Sequence, residues 1–290
     1  MNMKKRVVIT GMGAVSPIGN DIETFWESIK ETKPGIDFIT AFDASEIKVS
    51  VAGEVKGFDP VQYIDKKEAK RMDRYTQFAI AASKQAFEDS GLEKADYNPE
   101  RMGVIVGSGI GGLGTIEEQA GKLQSRGPKR ISPFFIPMSI VNMASGNVAI
   151  ALGAKGLCNT VVTACASGTN ALGEAFRNLQ YGYADIIIAG GTEAAVTLLG
   201  VAGFEAMTAL STKDDPSRAS IPFDVERDGF VMAEGSGMMV LETLEHAKAR
   251  NAKIYGEIVG YGFTCDAHHI TAPAPGGEGG ARAMKLPIED

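Results

Sequence analysis

The chain has 290 residues, with 29 Lys and Arg against 36 Asp and Glu, so its formal net charge is −7. Charged residues make up 22% and apolar residues 44%, the balance of a globular protein, which excludes a disordered chain. The negative charge argues against a nucleic-acid partner, and no apolar run approaches the roughly 18 residues that a membrane span requires.

Short β-branched runs alternate along the chain with segments of helical periodicity. A first strand at 6–10 is expected to end in a glycine turn, after which a helix at 22–29 follows. An alanine-rich helix at 75–90 is predicted to stop at Gly91. Later strands are predicted at 102–106, 159–163, 185–189, 237–241 and 254–259, with a helix after the second and after the fourth, and a last helix from 281 that contains Pro287. This alternation predicts an α/β fold whose sheet is covered on both faces.

A basic cluster at 66–71 interrupts this acidic chain. Such a run is usually the solvated face of a helix. The alternative is a docking patch for an acidic partner, because complementary charge speeds encounter. Taken alone, the cluster favours the solvated face.

The motif GxGxxG occupies 107–112, directly after a predicted strand, which is typical of a dinucleotide-binding loop. That function also needs a strand ending in an acidic residue about 20 positions further on. This chain instead has a basic, turn-forming segment at 127–130. We favour a packed structural turn beside a site, and an NAD(P)-dependent oxidoreductase remains a remote alternative.

Cys165 lies at a predicted junction between a strand and a helix, within the run TACASG at 163–168. The unpaired N–H groups and the positive dipole end of that helix would stabilise a thiolate, the nucleophilic form of cysteine. Small neighbours would let a substrate carbonyl approach backbone N–H groups that hold its oxygen. The alternative is a buried, inert cysteine, and position alone leaves both interpretations open.

The other cysteines and the histidines show no comparable context. Cys158 and Cys265 are expected to be inert, and three irregularly spaced thiols suit a reducing cytoplasm. His246 is expected on a charged surface helix. Adjacent residues His268 and His269 would point to opposite faces of an extended segment, so the sequence predicts no metal site.

Seven motifs, taken together, are highly specific for one protein family. They are VVITGMGAVSPIGN (7–20), GSGIGGLG (107–114), ISPFFIPMSIVNM (131–143), TACASG (163–168), AGGTEA (189–194), PFDVERDGFVMAEG (222–235) and DAHHIT (266–271). The chain resembles the β-ketoacyl-[acyl-carrier-protein] synthases, and most of all the type II condensing enzymes of bacterial fatty-acid synthesis. The resemblance runs from Arg6 to about Met284.

This resemblance implies a thiolase-like α/β fold with layers in the order αβαβα, a homodimer and a cytoplasmic enzyme. It implies no cofactor, because the substrates are carried on the phosphopantetheine of acyl carrier protein, the expected partner. Cys165 would take an acyl chain from the carrier. A carbanion formed by decarboxylation of malonyl-carrier would then attack the acyl-enzyme in a Claisen condensation.

The resemblance also assigns roles to seven further residues. The acyl pocket would include Ile110, Phe134, Phe135 and Phe204, with the adjacent pair reaching it from the neighbouring subunit. The carrier protein would dock on Lys67, Lys70 and Arg71. This match favours the docking interpretation of the basic cluster over the solvated face.

The chain departs from the family at its catalytic histidines. These lie in HGT and GH motifs, and neither motif occurs in this sequence. Loss of such a donor typically costs about 10²- to 10³-fold in rate. We therefore expect a C-terminally truncated chain, with a complete N-terminal thiolase-like half at 1–252 and an incomplete start of the C-terminal half at 253–290. The alternative to a condensing enzyme is a non-catalytic fragment or partner subunit.

Overall fold

The structure is a computed structural model that describes residues 4–290. The strands are β1 (Val7–Val15), β2 (Asp37–Phe38), β3 (Val51–Ala52), β4 (Met102–Gly107), β5 (Cys158–Val161), β6 (Ile186–Glu193), β7 (Gly235–Thr243) and β8 (Gly256–Ile258). The helices are α1 (Ile22–Lys30), α2 (Lys66–Ala69), α3 (Arg74–Asp89), α4 (Leu113–Arg126), α5 (Phe135–Ser139), α6 (Met143–Leu152), α7 (Ser167–Gln180), α8 (Leu198–Ala206), α9 (Leu244–Ala249) and α10 (Glu278–Glu289).

Six strands form one mixed sheet in the order β5-β4-β6-β7-β1-β8, and β2 pairs with β3 separately. β4 is parallel to both β5 and β6, whereas β7 is antiparallel to β6 and to β1. Gly107 at the end of β4 lies opposite Val161 of β5 and Gly191 of β6. The segments that follow these three strands therefore emerge together at one edge of the sheet.

Helices cover both faces of this sheet, as predicted. α3 and α6 pack on one face, and α7 packs on the other. The side chains of β6 show the alternation, since Ile186 and Ile188 join the first core whereas Ile187 and Ala189 join the second. All four are apolar because a strand buried on both faces has no solvated side.

The predicted glycine turn after the first strand is wrong, because β1 continues through Gly11 and Gly13 to Val15. A Cβ atom on Gly13 would lie 2.0 Å from the carbonyl oxygen of Ala82, and one on Gly11 would lie 2.1 Å from that of Ala86. The two glycines serve close packing of α3 against the strand. They do not reverse the chain.

Other predicted boundaries shift for similar reasons. β6 and β7 are longer than predicted because they pair with each other from Ile186 to Glu193. β5 is shorter and ends at Val161, and β8 has only three residues. α3 stops before Gly91, which takes the left-handed conformation, and Pro287 lies inside α10. β8 joins the same sheet as β1, and the division of the chain after residue 252 stays a prediction.

His246 corrects another expectation. It lies on α9, but its Nδ1 atom is 2.5 Å from the carboxylate of Glu242, which is fully buried. The histidine is therefore half-buried in a polar network and is not a solvated side chain. None of the helices described between residues 4 and 290 has the length and apolar character that a bilayer crossing requires.

Candidate active site

Cys165 lies where the chain passes from β5 into α7. It is the middle residue of a 3₁₀ turn, Ala164–Ala166, and α7 begins two positions later at Ser167. The thiol is free and the residue is exposed, which contradicts the alternative of a buried cysteine. The turn lies at the N-terminal end of α7, where the helix dipole places partial positive charge. The N–H of Ser167 itself bonds to the carbonyl oxygen of Ala164.

The turn that carries Cys165 is strained and held by one buried hydroxyl. Ala164 has a φ of +51°, a left-handed conformation that residues other than glycine rarely adopt. The Ser167 hydroxyl accepts the N–H of Thr163 at 2.9 Å and donates to the carbonyl oxygen of Ala164 at 2.7 Å. These two bonds keep the strained turn in one conformation.

Glycines let the first turn of α7 approach the sheet. A Cβ atom on Gly107 would lie 2.2 Å from the carbonyl oxygen of Ser167. One on Gly168 would lie 3.3 Å from the Cα atom of Gly191. The ends of β4 and β6 therefore set the position at which α7 begins.

A chain of hydrogen bonds that starts in the segment after β8 supports the same turn. The side-chain amide of Asn170 donates to the Thr163 hydroxyl at 2.8 Å, and the Tyr261 hydroxyl donates to Asn170 Oδ1 at 2.9 Å. The ring of Tyr261 occupies the space where a Cβ on Gly173 would lie. Residues after β8 thus help to position the turn.

Glu193 is a residue of this site that sequence analysis missed. It ends β6, and its carboxylate accepts the N–H groups of Gly109 at 2.7 Å, Ile110 at 3.1 Å and Gly111 at 3.3 Å. Burial raises the pKa of Glu193, and these hydrogen bonds offset that rise only in part. The available sequence signal was an acidic residue ending a strand that neighbours the one before the glycine loop.

The same bonds explain why the GxGxxG motif is not a dinucleotide site. α4 begins directly after Gly112, so the strand, loop and helix are all present. However, the N–H of Ser108 bonds to Val161 at 3.2 Å, that of Gly112 bonds to Ser139 at 3.3 Å, and those between them bond to Glu193. A pyrophosphate would find no free N–H in this loop, so the structure supports the packed turn over the oxidoreductase alternative.

Ile110, predicted to line the acyl pocket, lies on this glycine loop and is 37% exposed. A Cβ atom on the preceding Gly109 would lie 3.6 Å from the carbonyl oxygen of Ala164. The loop that bears Ile110 is therefore in contact with the turn that bears Cys165. The structure brings these two predicted residues to the same edge of the sheet.

Phe135 and Phe204, also predicted at the acyl pocket, lie on two other helices. Phe135 begins α5 and is half-buried, and the carbonyl oxygen of Met138 in that helix would be 2.2 Å from a Cβ on Gly112. Phe204 lies on α8, where its ring packs edge-to-face on Phe230 at 5.6 Å. Of the two, Phe135 belongs to the helix that packs against the glycine loop.

Phe134 connects the predicted pocket to the basic cluster. Lys67, Lys70 and Arg71 are all exposed, in and just after the single turn of α2. The guanidinium carbon of Arg71 lies 4.8 Å from the centre of the Phe134 ring, and Arg71 also pairs with Glu68 at 2.9 Å. The predicted docking residues thus border the segment that carries the predicted pocket aromatics.

The remaining cysteines and histidines form no second site. Cys158 lies exposed on the edge strand β5, and Cys265 is exposed in the connection before α10. His269 accepts the N–H of Ala272 at 3.0 Å through its Nδ1 atom. Within residues 4–290 no three histidine, cysteine, aspartate or glutamate residues group in a way that could hold a metal ion.

Comparison with known sequences points to one family. The family model described as "Beta-ketoacyl synthase, N-terminal domain" matches residues 4–247. A 3-oxoacyl-[acyl-carrier-protein] synthase 2 of Synechocystis sp. is 56% identical over 288 residues, which are 99% of this chain and 69% of that protein. One of the same name from Staphylococcus aureus is 56% identical over 290 residues, 100% of this chain and 70% of that protein.

Solved structures agree. A β-ketoacyl synthase from Burkholderia phymatum superposes with a TM-score of 0.87 at 34% identity, covering 98% of this chain and 70% of that one. A type II polyketide ketosynthase, solved in complex with its acyl-carrier protein, gives 0.88 at 32% identity, covering 99% of this chain and 70% of that one. The predicted thiolase-like α/β fold is confirmed by these ketosynthase neighbours. By sequence and by fold, this chain belongs to the β-ketoacyl synthase family.

Proposed function

We propose that Cys165 is the nucleophile of a 3-oxoacyl-[acyl-carrier-protein] synthase of fatty-acid elongation. Its thiolate attacks the carbonyl carbon of an acyl thioester, the carbon–sulfur bond to the carrier's phosphopantetheine breaks, and the carrier leaves as a thiolate that takes a proton from water. Malonyl-carrier then loses CO₂, and the resulting carbanion attacks the acyl-enzyme and releases the Cys165 thiolate. The observation that carries this proposal is an exposed cysteine on a strained turn at the start of α7.

The surrounding residues support the first of these steps. Negative charge develops on the thioester oxygen during attack, and the N-terminal end of α7, two residues from Cys165, places partial positive charge there. The bonds from Ser167 and Asn170 keep the turn ordered before substrate arrives. Such preorganisation lowers the barrier, because the turn needs no rearrangement in the transition state.

A non-catalytic subunit or fragment is the second candidate. It is favoured by the sequence, in which no histidine is followed by Gly-Thr and none is preceded by glycine. The exposed thiol on a strained turn counts against it, because strain of this kind is typical of functional sites. Acyl transfer to Cys165 separates the two candidates.

We expect the 290-residue chain to gain the mass of one acyl group when it is incubated with an acyl thioester, and the Cys165→Ala variant to gain none. Intact-protein mass spectrometry measures both. Cys265→Ala is the matched control, since Cys265 is also a free, exposed thiol. Equal labelling of the Cys165→Ala variant and the unmodified chain would remove Cys165 from this role.

The acidic partner in this proposal is acyl carrier protein, and it docks on Lys67, Lys70 and Arg71. A polyketide relative is known in complex with its carrier, and the exposed basic residues here suit an acidic surface. The contact between Arg71 and Phe134 places this surface beside the helix α5 that packs on the glycine loop. A carrier docked there would hold its phosphopantetheine arm near the edge of the sheet where Cys165 lies.

Reversing two of these charges, in the variant Lys67→Glu/Lys70→Glu, is expected to slow labelling of Cys165 from acyl-carrier about tenfold at low salt. Labelling from a small acyl thioester should not change, because that substrate does not need the protein surface. Lys30→Glu/Lys33→Glu, an equal change in charge on and after α1, is the control. If both double variants slow the carrier reaction equally, the effect is one of net charge and not of docking.

The proposal includes a homodimer in the cytoplasm and the division of the chain into a half at 1–252 and the start of another at 253–290. β5 is an edge strand with pairing groups open on one side, and edges of this kind are commonly covered. Ile150 of the adjoining helix α6 is 79% exposed. Three free cysteines suit a reducing compartment.

Introducing a charge beside β5 should dissociate this dimer. We expect Ile150→Asp to shift the mass measured by light scattering from that of two chains toward that of one. The control is Val225→Asp, because Val225 is also apolar and exposed but lies in the connection between α8 and β7. A chain that is monomeric before any substitution would contradict the dimer.

A further inference from the structure

The glycine loop between β4 and α4 is held by one carboxylate that the acyl-transfer steps do not use. Glu193 Oε2 accepts the N–H groups of Gly109 and Ile110, at 2.7 and 3.1 Å. Its Oε1 atom accepts the hydroxyl of Ser108 at 3.2 Å and the N–H of Gly111 at 3.3 Å. A half-buried anion with four donors from one loop fixes the path of that loop.

The loop needs this support because three of its four residues at 109–112 are glycine. Glycine has more backbone freedom than any other residue, so such a loop is mobile unless other groups hold it. Gly111 has a φ of +80°, which a side chain would disfavour. Ile110 carries the only side chain in this stretch, and its orientation therefore depends on how firmly the backbone is held.

The position of Ile110 matters because the loop contacts the turn of Cys165. Gly109 lies close to both the Glu193 carboxylate and the carbonyl oxygen of Ala164, as a Cβ there would lie 3.0 Å from the first and 3.6 Å from the second. Displacement of the loop would move Ile110 relative to the nucleophile. The contact between Ile110 and an acyl chain attached to Cys165 would change with that displacement.

We propose that Glu193 is a positioning residue that sets acyl-chain selectivity by holding Ile110 beside Cys165. This inference rests on the proposed function, since it concerns the same acyl transfer. Glu193 does not touch the reacting atoms. It acts through the backbone of Gly109, Ile110 and Gly111, and through them on the side chain that an acyl chain would meet.

The hydrogen bonds between Glu193 and the loop make glutamine an informative substitution for Glu193. Both carboxylate oxygens accept hydrogen bonds from the loop, so an amide NH₂ in place of either oxygen would face N–H or O–H donors. Glu193→Gln therefore keeps the size of the side chain but, in either orientation of the amide, sets its NH₂ group against at least one backbone N–H of the loop. Ser108→Ala is the milder variant, because it leaves the carboxylate in place and removes only the hydroxyl that donates to Glu193 and accepts the N–H of Gly111.

The test compares the rates at which Cys165 is labelled by a hexanoyl and a dodecanoyl thioester, and takes their ratio. We expect Glu193→Gln to change this ratio about fivefold or more, and Ser108→Ala to change it less in the same direction. Ile110→Ala removes the side chain through which Glu193 acts. In that background, adding Glu193→Gln should leave the ratio as it is in Ile110→Ala alone.

Two results would overturn the proposal. One is an equal loss of both rates with an unchanged ratio, as a purely structural role predicts. The other is an effect of Glu193→Gln on the ratio that persists in the Ile110→Ala background. The rate at which iodoacetamide alkylates Cys165 and the melting temperature report whether a variant is folded and its thiol accessible.

Hydrogen exchange separates this inference from the proposed function. We expect the amides of Ile110 and Gly111 to lose protection in Glu193→Gln, and this measurement does not need an acyl substrate. If no thioester labels Cys165 but protection is still lost in Glu193→Gln, the proposed acyl transfer is wrong, and the role of Glu193 in acyl-chain selectivity is wrong with it. The result would still show that Glu193 holds the loop. If protection is unchanged, Glu193 does not hold the loop, whatever the labelling shows.

Discussion

Replacing Gly107 with alanine is expected to destabilise the fold by about 3 kcal/mol or more and to abolish acyl transfer to Cys165. The new Cβ atom would lie 2.2 Å from the carbonyl oxygen of Ser167, 2.3 Å from its carbonyl carbon and 2.7 Å from the amide nitrogen of Gly168. All three are backbone atoms, so no side-chain rotation can relieve the overlap. Either β4 or the start of α7 must move, and α7 begins two residues after the nucleophile.

Urea denaturation measures the loss of stability, and intact mass after incubation with an acyl thioester measures the loss of transfer. Gly237→Ala is the matched control, because Gly237 lies in β7 of the same sheet and a Cβ atom there would meet nothing within 4 Å. That variant is expected to be neutral or more stable by about 0.4–1 kcal/mol, since alanine restricts the unfolded chain. Equal behaviour of the two variants would show that the contact between β4 and α7 is not tight.

The strands and helices were largely predictable because burial leaves a periodic pattern in the sequence. The junction at Cys165 was predictable for the same reason, since a β-branched run precedes it and an amphipathic helix follows. The path of β1 was not, because Gly11 and Gly13 are compatible with a turn and with close packing. Only the position of α3, which depends on the whole fold, decides between them.

The polar contacts of the candidate site also could not be predicted from local sequence patterns. Glu193 follows Cys165 by 28 positions and the glycine loop by more than 80, so no local pattern links them. The contact between Glu193 and the loop arises because β4 and β6 run parallel in the sheet, an arrangement that the sequence suggests only as a class of fold. His246 was misjudged likewise, since its charged neighbours in sequence conceal the fully buried Glu242 one turn away.

The second large loss of stability is expected when the hydrogen bonds of Glu242 are broken. Its carboxylate has no exposed surface and accepts hydrogen bonds from Thr10, His246 and Arg250, and Arg250 also donates to the carbonyl oxygen of Ser90 at 2.8 Å. One cluster therefore joins β1, β7, the end of α3 and the residue after α9. Arg250→Met is expected to destabilise the fold by about 3–5 kcal/mol near neutral pH, because it leaves a buried carboxylate without its cation.

The pH dependence of this loss identifies the charge as its cause. Burial raises the pKa of Glu242, but the bonds from His246, Arg250 and Thr10 outweigh that rise and hold the pKa below its usual value. A carboxyl group with a lowered pKa stabilises the fold above its unfolded pKa of about 4.3, and loses that contribution as the pH falls through the folded value. The difference in unfolding free energy between Arg250→Met and the unmodified chain should therefore shrink in acid, where Glu242 is protonated.

Urea titrations at several pH values measure this difference. Arg6→Met is the control, because Arg6 pairs with Glu257 on the surface and its loss should have a much smaller effect. A cost for Arg250→Met that stays constant as the pH falls would mean that the arginine contributes through packing of its aliphatic stem. The carboxylate would then be stabilised mainly by its bonds from His246 and Thr10.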